Sequence, residues 1–369
     1  MIESSTLNNA ARVLATVTPE LPADAALRRY LGLARRLGPR EKRAISRAVF
    51  TYCRWLQWLD AGASAQKQLE QADTINARFV ADPKSVKPET LAARAVPAWL
   101  RDEMELPTAY LQQLQREPAL WLRARPGTAA ALARDLGHCE TTPRAPDALR
   151  YAGQQDLFLT PAFHAGAFEI QDLASQLVGL ACAPEPKQTW WDACAGEGGK
   201  TLHLADQMQN KGLIWASDRS TRRLETLKRR AARAHLFNYR VAVWEGGPQL
   251  PMKTKFDGIL VDAPCSGVGT WQRNPHARWT VGPDDVRELA VMQRSLLENV
   301  AGSLKPGGRL IYAVCTLTRT ETTALAGAFT AAHPELEPYP LFGAAPQLAL
   351  WPHELNANGM FIAGWRKPL

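Results

Sequence analysis

The chain has 369 residues, 46% of them hydrophobic, which is enough for two or three domains with cores of their own. No run approaches the ~18 apolar residues of a membrane span, and Met1-Ile2-Glu3-Ser4-Ser5 lacks the basic-then-apolar order of a secretory leader, so no membrane partner is predicted. The net charge of +8 favours a polyanionic partner such as nucleic acid, and six cysteines without a Cys-x-x-Cys pair argue against a zinc site and for a cytoplasmic protein with reduced thiols.

Residues 7–60 read as helices. Apolar positions recur at helical spacing through Ala26, Leu27, Tyr30, Leu31, Leu33 and Ala34, and again through Ile45, Ala48, Val49, Tyr52 and Leu56. Leu37-Gly38-Pro39 separates the runs, with Gly38 in the left-handed position past a helix end and Pro39 as a stop. Arg28, Arg29, Arg35, Arg36, Arg40, Lys42, Arg43, Arg47 and Arg54 face one acid, Glu41, over this span. Such a one-signed run is either a solvated helix face or an RNA contact. Helices continue over 61–115, broken at Pro83, Pro88, Pro97 and Pro107, and Pro97-Ala98-Trp99-Leu100 is predicted to start one with proline in its first turn.

From Pro118 the pattern changes to a small α+β segment: a strand over 120–124, a helix over 128–136 and a strand over 148–152. Segments of this kind handle single-stranded RNA. Phe168-Glu169-Ile170-Gln171-Asp172 then leads into an apolar helix over 173–180.

Strands predicted at 189–193, 213–217, 239–243, 256–261 and 308–313 alternate with helices, which argues a Rossmann-like α/β domain with a mostly parallel sheet. Ligands of such sheets sit beyond the carboxyl ends of the strands. The first strand runs into Asp192-Ala-Cys-Ala-Gly-Glu-Gly-Gly-Lys-Thr201, a glycine-rich turn opening a helix. A P-loop would need its first glycine at Cys194, and a dinucleotide loop would need its third at Thr201, so both patterns fail. A ligand with less phosphate remains, with S-adenosylmethionine the natural candidate and an empty structural turn the alternative.

Asp218, after the second strand, is placed to accept the ribose hydroxyls of a nucleoside; otherwise it caps a helix beginning near Thr221. Glu245, after the third, is either an adenine-side contact or a solvated loop acid. The fourth strand opens into Asp262-Ala-Pro-Cys-Ser-Gly-Val-Gly-Thr270. The fifth follows a predicted turn, Lys305-Pro-Gly-Gly308, and ends at Val314-Cys315-Thr316. Neighbouring fourth and fifth strands would put Cys265 and Cys315 in one cleft, as a redox pair or as a reactive pair beside a methyl donor. Carbon 5 of cytosine is too weak a nucleophile to take a methyl group directly. A thiolate adding to carbon 6 makes it enamine-like, after which a base removes the carbon 5 proton.

Three motifs, Asp192–Thr201, Asp262-Ala-Pro-Cys-Ser-Gly267 and Tyr312-Ala-Val-Cys-Thr316, resemble those of the RNA 5-methylcytosine methyltransferases, the Sun family. Ile170–Gln176, Arg273–Trp279 and Asn358-Gly-Met-Phe-Ile-Ala363 are similar too, so the resemblance covers about residues 118–369. The basic N-terminal helices resemble the NusB-like domain joined to this catalytic domain in bacterial 16S rRNA cytosine methyltransferases of the RsmB type. The resemblance implies a helical NusB-like domain over 1–115, a small RRM-like α+β segment over 116–180 and a Rossmann-like methyltransferase domain over 181–369. It implies Cys315 as the nucleophile, Cys265 as the helper of product release and Asp262 as the residue that orients the cytosine. It also implies S-adenosylmethionine held by Cys194, Ala195, Gly196, Glu197, Gly198, Gly199, Lys200, Asp218, Glu245 and Asp262, with no metal.

The sequence departs from the family where Gly196-Glu197 replaces Ala-Pro, Glu245 replaces an aspartate, and Ala313-Val314 replaces Ser-Thr. Glu197 is expected to weaken cofactor binding or rearrange its loop. The expected function is therefore cofactor-dependent methylation of RNA, 16S rRNA first and tRNA as the alternative, by a monomer. Its rivals are a catalytically lapsed RNA-binding ribosome-assembly protein, a small-molecule methyltransferase and a cysteine hydrolase built on Cys265 and His276. The run Arg222, Arg223, Lys228, Arg229, Arg230 and Arg233 argues for RNA over a small substrate.

Overall fold

A computed structural model describes residues 2–369. The chain divides into two compact units: residues through Pro118 together with Gly267–Pro283, and Ala119–Ser266 together with Asp284–Leu369. The sequence reading placed its boundaries after residues 115 and 180. It gave no sign that a segment beginning two residues beyond Cys265 folds with the N-terminal helices.

The first unit contains α1 (Ser4–Leu14), α2 (Ala23–Leu33), α3 (Pro39–Trp55), α4 (Ala65–Ala81), α5 (Pro88–Arg94) and α6 (Thr108–Leu114). Its core joins Leu27, Ile45 and Val49, from the apolar faces that the helical spacing marks, to Leu7, Ala10 and Leu69. Gly38 is not left-handed: at φ −71° it is the N-cap of α3, Pro39 is the first helical residue, and the Gly38 N–H donates to Glu41 Oε2 at 2.7 Å. Pro39 therefore starts the next helix rather than merely stopping the previous one. Likewise Pro97 precedes a 3-10 segment, Ala98–Asp102, instead of entering an α-helix.

The Gly267–Pro283 segment is stitched into this unit by buried cations. Arg278 is fully buried and donates to the carbonyls of Ala95 and Leu114, and Trp279 Nε1 donates to Cys53 O at 3.0 Å. Arg54, counted in the basic run, is also buried and lies 3.4 Å from Gln272 O, so it is no part of an exposed RNA face. Burial lowers both guanidinium pKa values, to about 9 for Arg278 and about 10 for Arg54, which leaves both charged at neutral pH. His276 also belongs to this unit, where burial lowers its pKa, while Cys265 belongs to the other.

The second unit opens with β1 (Leu120–Ala124), α7 (Ala129–Leu136), β2 (Cys139–Thr142), β3 (Ala145–Tyr151), the single turn α8 (Pro161–His164) and β4 (Phe168–Ile170). The strands form an antiparallel sheet in the order β2-β3-β1-β4. The short strands β2 and β4 went unread in the sequence. Next come α9 (Leu173–Cys182), β5 (Thr189–Asp192), α10 (Gly199–Gln207), β6 (Leu213–Asp218), α11 (Thr221–Arg233), β7 (Tyr239–Val243), β8 (Phe256–Asp262), α12 (Pro283–Ala301) and β9 (Leu304–Val314). The chain closes with α13 (Thr323–Ala332), β10 (Glu337–Pro338), β11 (Gln347–Leu350), the turn α14 (Pro352–Leu355) and β12 (Met360–Arg366).

The eight-stranded sheet runs β10-β12-β9-β8-β5-β6-β7, with β11 paired to β12. β7 through β9 are parallel, and β12 runs antiparallel to β9. The strand order reverses beside β5, which is the switch point where an open α/β sheet leaves a crevice. Trp190 and Trp191 are fully buried and point to opposite faces of β5, one into each apolar layer. The predicted turn Lys305–Gly308 is instead the irregular start of β9: the register slips between Phe256↔Leu304 and Gly258↔Arg309, and Gly307 takes φ +75°. No helix among the described residues is long and apolar enough to cross a membrane.

Candidate functional site

The turn between β5 and α10 carries the glycines for two different reasons. Gly196 has φ +56° with open space where a Cβ would stand. Gly198 has φ +85°, and a Cβ there would lie 2.5 Å from Leu227 Cγ on α11. The turn is then pinned from several sides. Ala195 N donates to Ser217 O at 2.8 Å, Gly196 N to Asp218 Oδ2 at 3.0 Å, and Arg230 Nη1 to Glu197 O at 2.9 Å. Gln171 Nε2 donates to Gly199 O at 3.2 Å.

Asp218 is nearly buried at the end of β6 and does not cap α11; Ser220 does. Its Oδ1 accepts from Ser220 N at 2.8 Å while its Oδ2 holds Gly196, so each oxygen keeps a further lone pair for another donor. Two members of the basic run on α11 are committed inward. Arg230 and Arg233 both pair with the buried Glu169, whose pKa burial alone would raise but the two guanidinium groups hold below its ordinary value. Arg222, Arg223, Lys228 and Arg229 remain exposed.

Lys200, the second residue of α10, is buried and reaches Asp262 Oδ2 at 2.6 Å. Burial opposes its charge, but the charge and hydrogen bond of Asp262 outweigh that and hold the amine above its ordinary pKa. The sequence reading put Lys200 with the cofactor and Asp262 with both cofactor and substrate; their pairing was not visible from spacing. Asp192, at the end of β5, is fully buried and accepts from Thr201 Oγ1 at 2.6 Å. Burial, opposed by that hydrogen bond, pushes its carboxyl up to about 7. Burial first, then the carboxylates of Asp192, Asp262 and Asp218, push the Cys194 thiol well up, so Cys194 is not a thiolate at neutral pH.

The register of β8 and β9 pairs Asp262 with Ala313. The two strands therefore end side by side, and the loops beyond them bring Cys265 Sγ and Cys315 Sγ to 3.2 Å. No disulfide joins them. Cys194, Ala195, Gly196, Glu197, Gly199, Lys200, Asp218, Glu245, Asp262, Cys265 and Cys315 all line one cavity of about 740 Å³, which is the size of a site for a nucleoside-sized ligand. Gly198 belongs to the same turn. The sequence reading gave Arg223 and Arg230 to an RNA-facing run and missed Arg219; all three line the same cavity, as do Met292 and Leu296 of α12, also missed, which supply an apolar wall. It also missed a buried polar cluster behind the cysteines, formed by Ser266, Thr316, Thr318, Glu321 and Gln293.

Residues 179–366 match the family described as 16S rRNA methyltransferase RsmB/F. The chain is 33% identical over 291 residues to a probable ribosomal RNA small subunit methyltransferase B of Synechocystis, covering 73% of this chain and 64% of that protein. It is 36% identical over 221 residues to the protein of the same description from Bacillus subtilis, covering 56% of this chain and 49% of that one. The chain thus spans from about half to under two thirds of the length of these relatives. The crystal structure of PH0851 superposes with a TM-score of 0.81 at 24% identity, covering 100% of this chain and 99% of that one, a likeness of fold.

Proposed function

The chain belongs to the 16S rRNA methyltransferase RsmB/F family, and on that premise we propose that it transfers a methyl group from S-adenosylmethionine to carbon 5 of a cytosine in RNA, with 16S rRNA as the substrate. The observation that carries the proposal is the pair of thiols, 3.2 Å apart at the ends of adjacent parallel strands, on the wall of the cavity that the glycine turn also lines.

The residues present fit the cofactor. The turn from Cys194 to Lys200 offers close-approaching backbone, Asp218 retains acceptor capacity for ribose hydroxyls, and Glu245 stands on the same cavity wall. When bound, the cofactor supplies an electrophilic methyl group. Everything else falls to this chain. Cys315 adds as a thiolate to carbon 6 of the cytosine, which makes carbon 5 nucleophilic toward the methyl group. Asp262, held by Lys200, orients the ring by accepting from its exocyclic amino group, and the proton shared across the Lys200–Asp262 pair offsets the negative charge that develops at the nitrogen 3 edge as the thiolate adds. A base then takes the proton from carbon 5, the bond between carbon 6 and sulfur breaks, and Cys315 leaves as a thiolate. Cys265, in hydrogen-bond contact with Cys315, assists that departure. The exposed cations of α2, α3 and α11 are the phosphate-facing groups in this reading, with the N-terminal helices acting as a NusB-like RNA-binding domain and the small sheet as an RRM-like one. The proposal sets the protein to work in the cytoplasm, as a monomer.

The test uses Cys265→Ala incubated with S-adenosylmethionine and total RNA from cells lacking the enzyme. The expected result is a denaturation-resistant protein–RNA adduct that disappears when Cys315 is also changed, with the attached RNA mapping to 16S rRNA. Attachment to tRNA would replace the substrate in the proposal. A folded, cofactor-binding protein that forms no adduct would overturn the covalent route.

A further inference from the structure

Glu321 stands six residues beyond Cys315 and is fully buried, with no role in the reaction just described. Its Oε1 accepts from Ser266 N and from Gln293 Nε2, both at 2.9 Å. Its Oε2 accepts from Ser266 Oγ and, at 2.8 Å, from Thr318 Oγ1. Ser266 follows Cys265 directly, and Thr316, which follows Cys315 directly, lies 2.9 Å from Ser266 Oγ. One carboxylate therefore gathers donors from the loop after β8, from the loop after β9 and from α12. Gln293 extends the cluster by donating also to Pro264 O at 2.9 Å, on the other side of Cys265. The Tyr312 hydroxyl, 2.8 Å from Glu321 O, ties the backbone of Glu321 to β9.

An ordinary buried carboxylate would be satisfied by any four donors. These four are not arbitrary, because two belong to the residue next to one thiol and a third belongs to the loop that carries the other. We propose that Glu321 is a positioning residue that sets the separation of Cys265 and Cys315 by clamping Ser266, beside one thiol, to Thr318, on the loop that carries the other. The proposal rests on the reading in which both thiols act on the cytosine, but its geometric content can be tested without RNA or cofactor.

The chemistry of the clamp distinguishes three substitutions. Glu321→Gln keeps an oxygen for the two fixed N–H donors and turns its amide toward Ser266 Oγ and Thr318 Oγ1, which can rotate to accept. Glu321→Asp is one methylene shorter and cannot hold both loops at the present spacing. Glu321→Ala removes the clamp and leaves the Ser266 N–H without its acceptor.

The experiment measures how fast diamide joins Cys265 and Cys315 in the purified full-length protein. In this step the two thiols lose two electrons and two protons to diamide, a sulfur–sulfur bond forms, and diamide is reduced to its hydrazine. Peptide mapping identifies the bond, and iodoacetamide labelling reports each thiol separately. Misplacement by about 1 Å is worth on the order of 100-fold in a proximity-driven step. Joining in Glu321→Asp and Glu321→Ala should therefore slow at least tenfold, with alkylation of each thiol within twofold of wild type, and Glu321→Gln should join at nearly the wild-type rate. In methyl transfer the same order should appear in kcat, with cofactor affinity unchanged. Wild-type joining rates in folded Glu321→Asp would overturn the clamp even if Glu321→Ala fails to fold. If joining slows as expected but no variant or wild type methylates RNA, the clamp stands and the functional reading fails.

Discussion

The two left-handed glycines of the cofactor turn give a paired test of the geometry. Alanine at Gly196 meets nothing within 4 Å, so its cost is the left-handed backbone alone, roughly 1–2 kcal/mol. Alanine at Gly198 carries the same backbone cost. In addition its Cβ would lie 2.5 Å from Leu227 Cγ and 3.1 Å from Leu202 Cδ1. Leu227 and Leu202 are both buried, so neither can swing into solvent. Overpacking of this kind adds about 1–3 kcal/mol, for a total of roughly 2–5 kcal/mol. The strain falls between the N-terminus of α10 and α11, where Lys200 and the pinned turn begin. Gly198→Ala should therefore lower the unfolding midpoint more than Gly196→Ala does and speed hydrogen exchange in α10. It should also weaken cofactor binding in calorimetry more than its neighbour. Leu227→Ala should cost less in the Gly198→Ala background than in wild type, because it makes room for the new methyl group. Equal destabilisation by the two alanines, or additive behaviour with Leu227→Ala, would refute the reasoning.

Cys315→Ser should abolish methyl transfer while leaving cofactor affinity within twofold, as followed by mass spectrometry of a cytosine-containing RNA; a variant with full turnover would remove Cys315 from the mechanism. Asp218→Ala should raise the cofactor dissociation constant by about 10- to 100-fold, the worth of a hydrogen bond to a charged group, since it removes both the ribose acceptor and the tie to Gly196 N; unchanged affinity would deny it either role. The Asp192 carboxyl, ordinarily 3.8, titrates at about 7 in the fold because of burial. The folded chain keeps a proton that the unfolded chain has lost between those values. The stability from this shift is therefore complete below the lower value and is lost as pH rises through the upper. Asp192→Asn, which cannot ionise, should gain on wild type in urea unfolding as pH rises from about 4 to about 7; a pH-independent difference would show that Asp192 is not the group responsible.

Much of the second unit was legible because each parallel strand is a short apolar run followed by a residue that a carboxyl-end crevice requires. Asp218, Asp262 and Cys315 stand at or just beyond the ends of β6, β8 and β9 and line one cavity, where the strand alternation leads a ligand to be expected. What was misread has local causes. Gly38 fits either end of a helix, and only the bond from its N–H to Glu41 shows that it begins α3. Lys305–Gly308 has the composition of a turn, yet β9 absorbs it as a bulge because β8 offers a partner on one side. Strand β4 is three residues long and carries Glu169, a poor strand residue held there by Arg230 and Arg233.

Glu197 was expected to disturb the cofactor turn through its charge. The structure leaves its side chain exposed and ties its carbonyl to Arg230, while Arg219, Arg223 and Arg230 stand on the same cavity wall. Arg219 and Arg223 stand there to offset the added carboxylate, Arg230 being paired with Glu169, and the conformation of the turn is fixed by bonds in which the Glu197 side chain takes no part. The sequence shows which residue differs; whether the difference matters depends on which atoms of that residue the fold uses. The same distinction separates the cysteines from Glu321. A thiol at a strand end announces its chemistry from its position. A carboxylate six residues further on gains meaning only when folding shows that its four donors come from the residue beside one thiol, from the loop that carries the other and from α12.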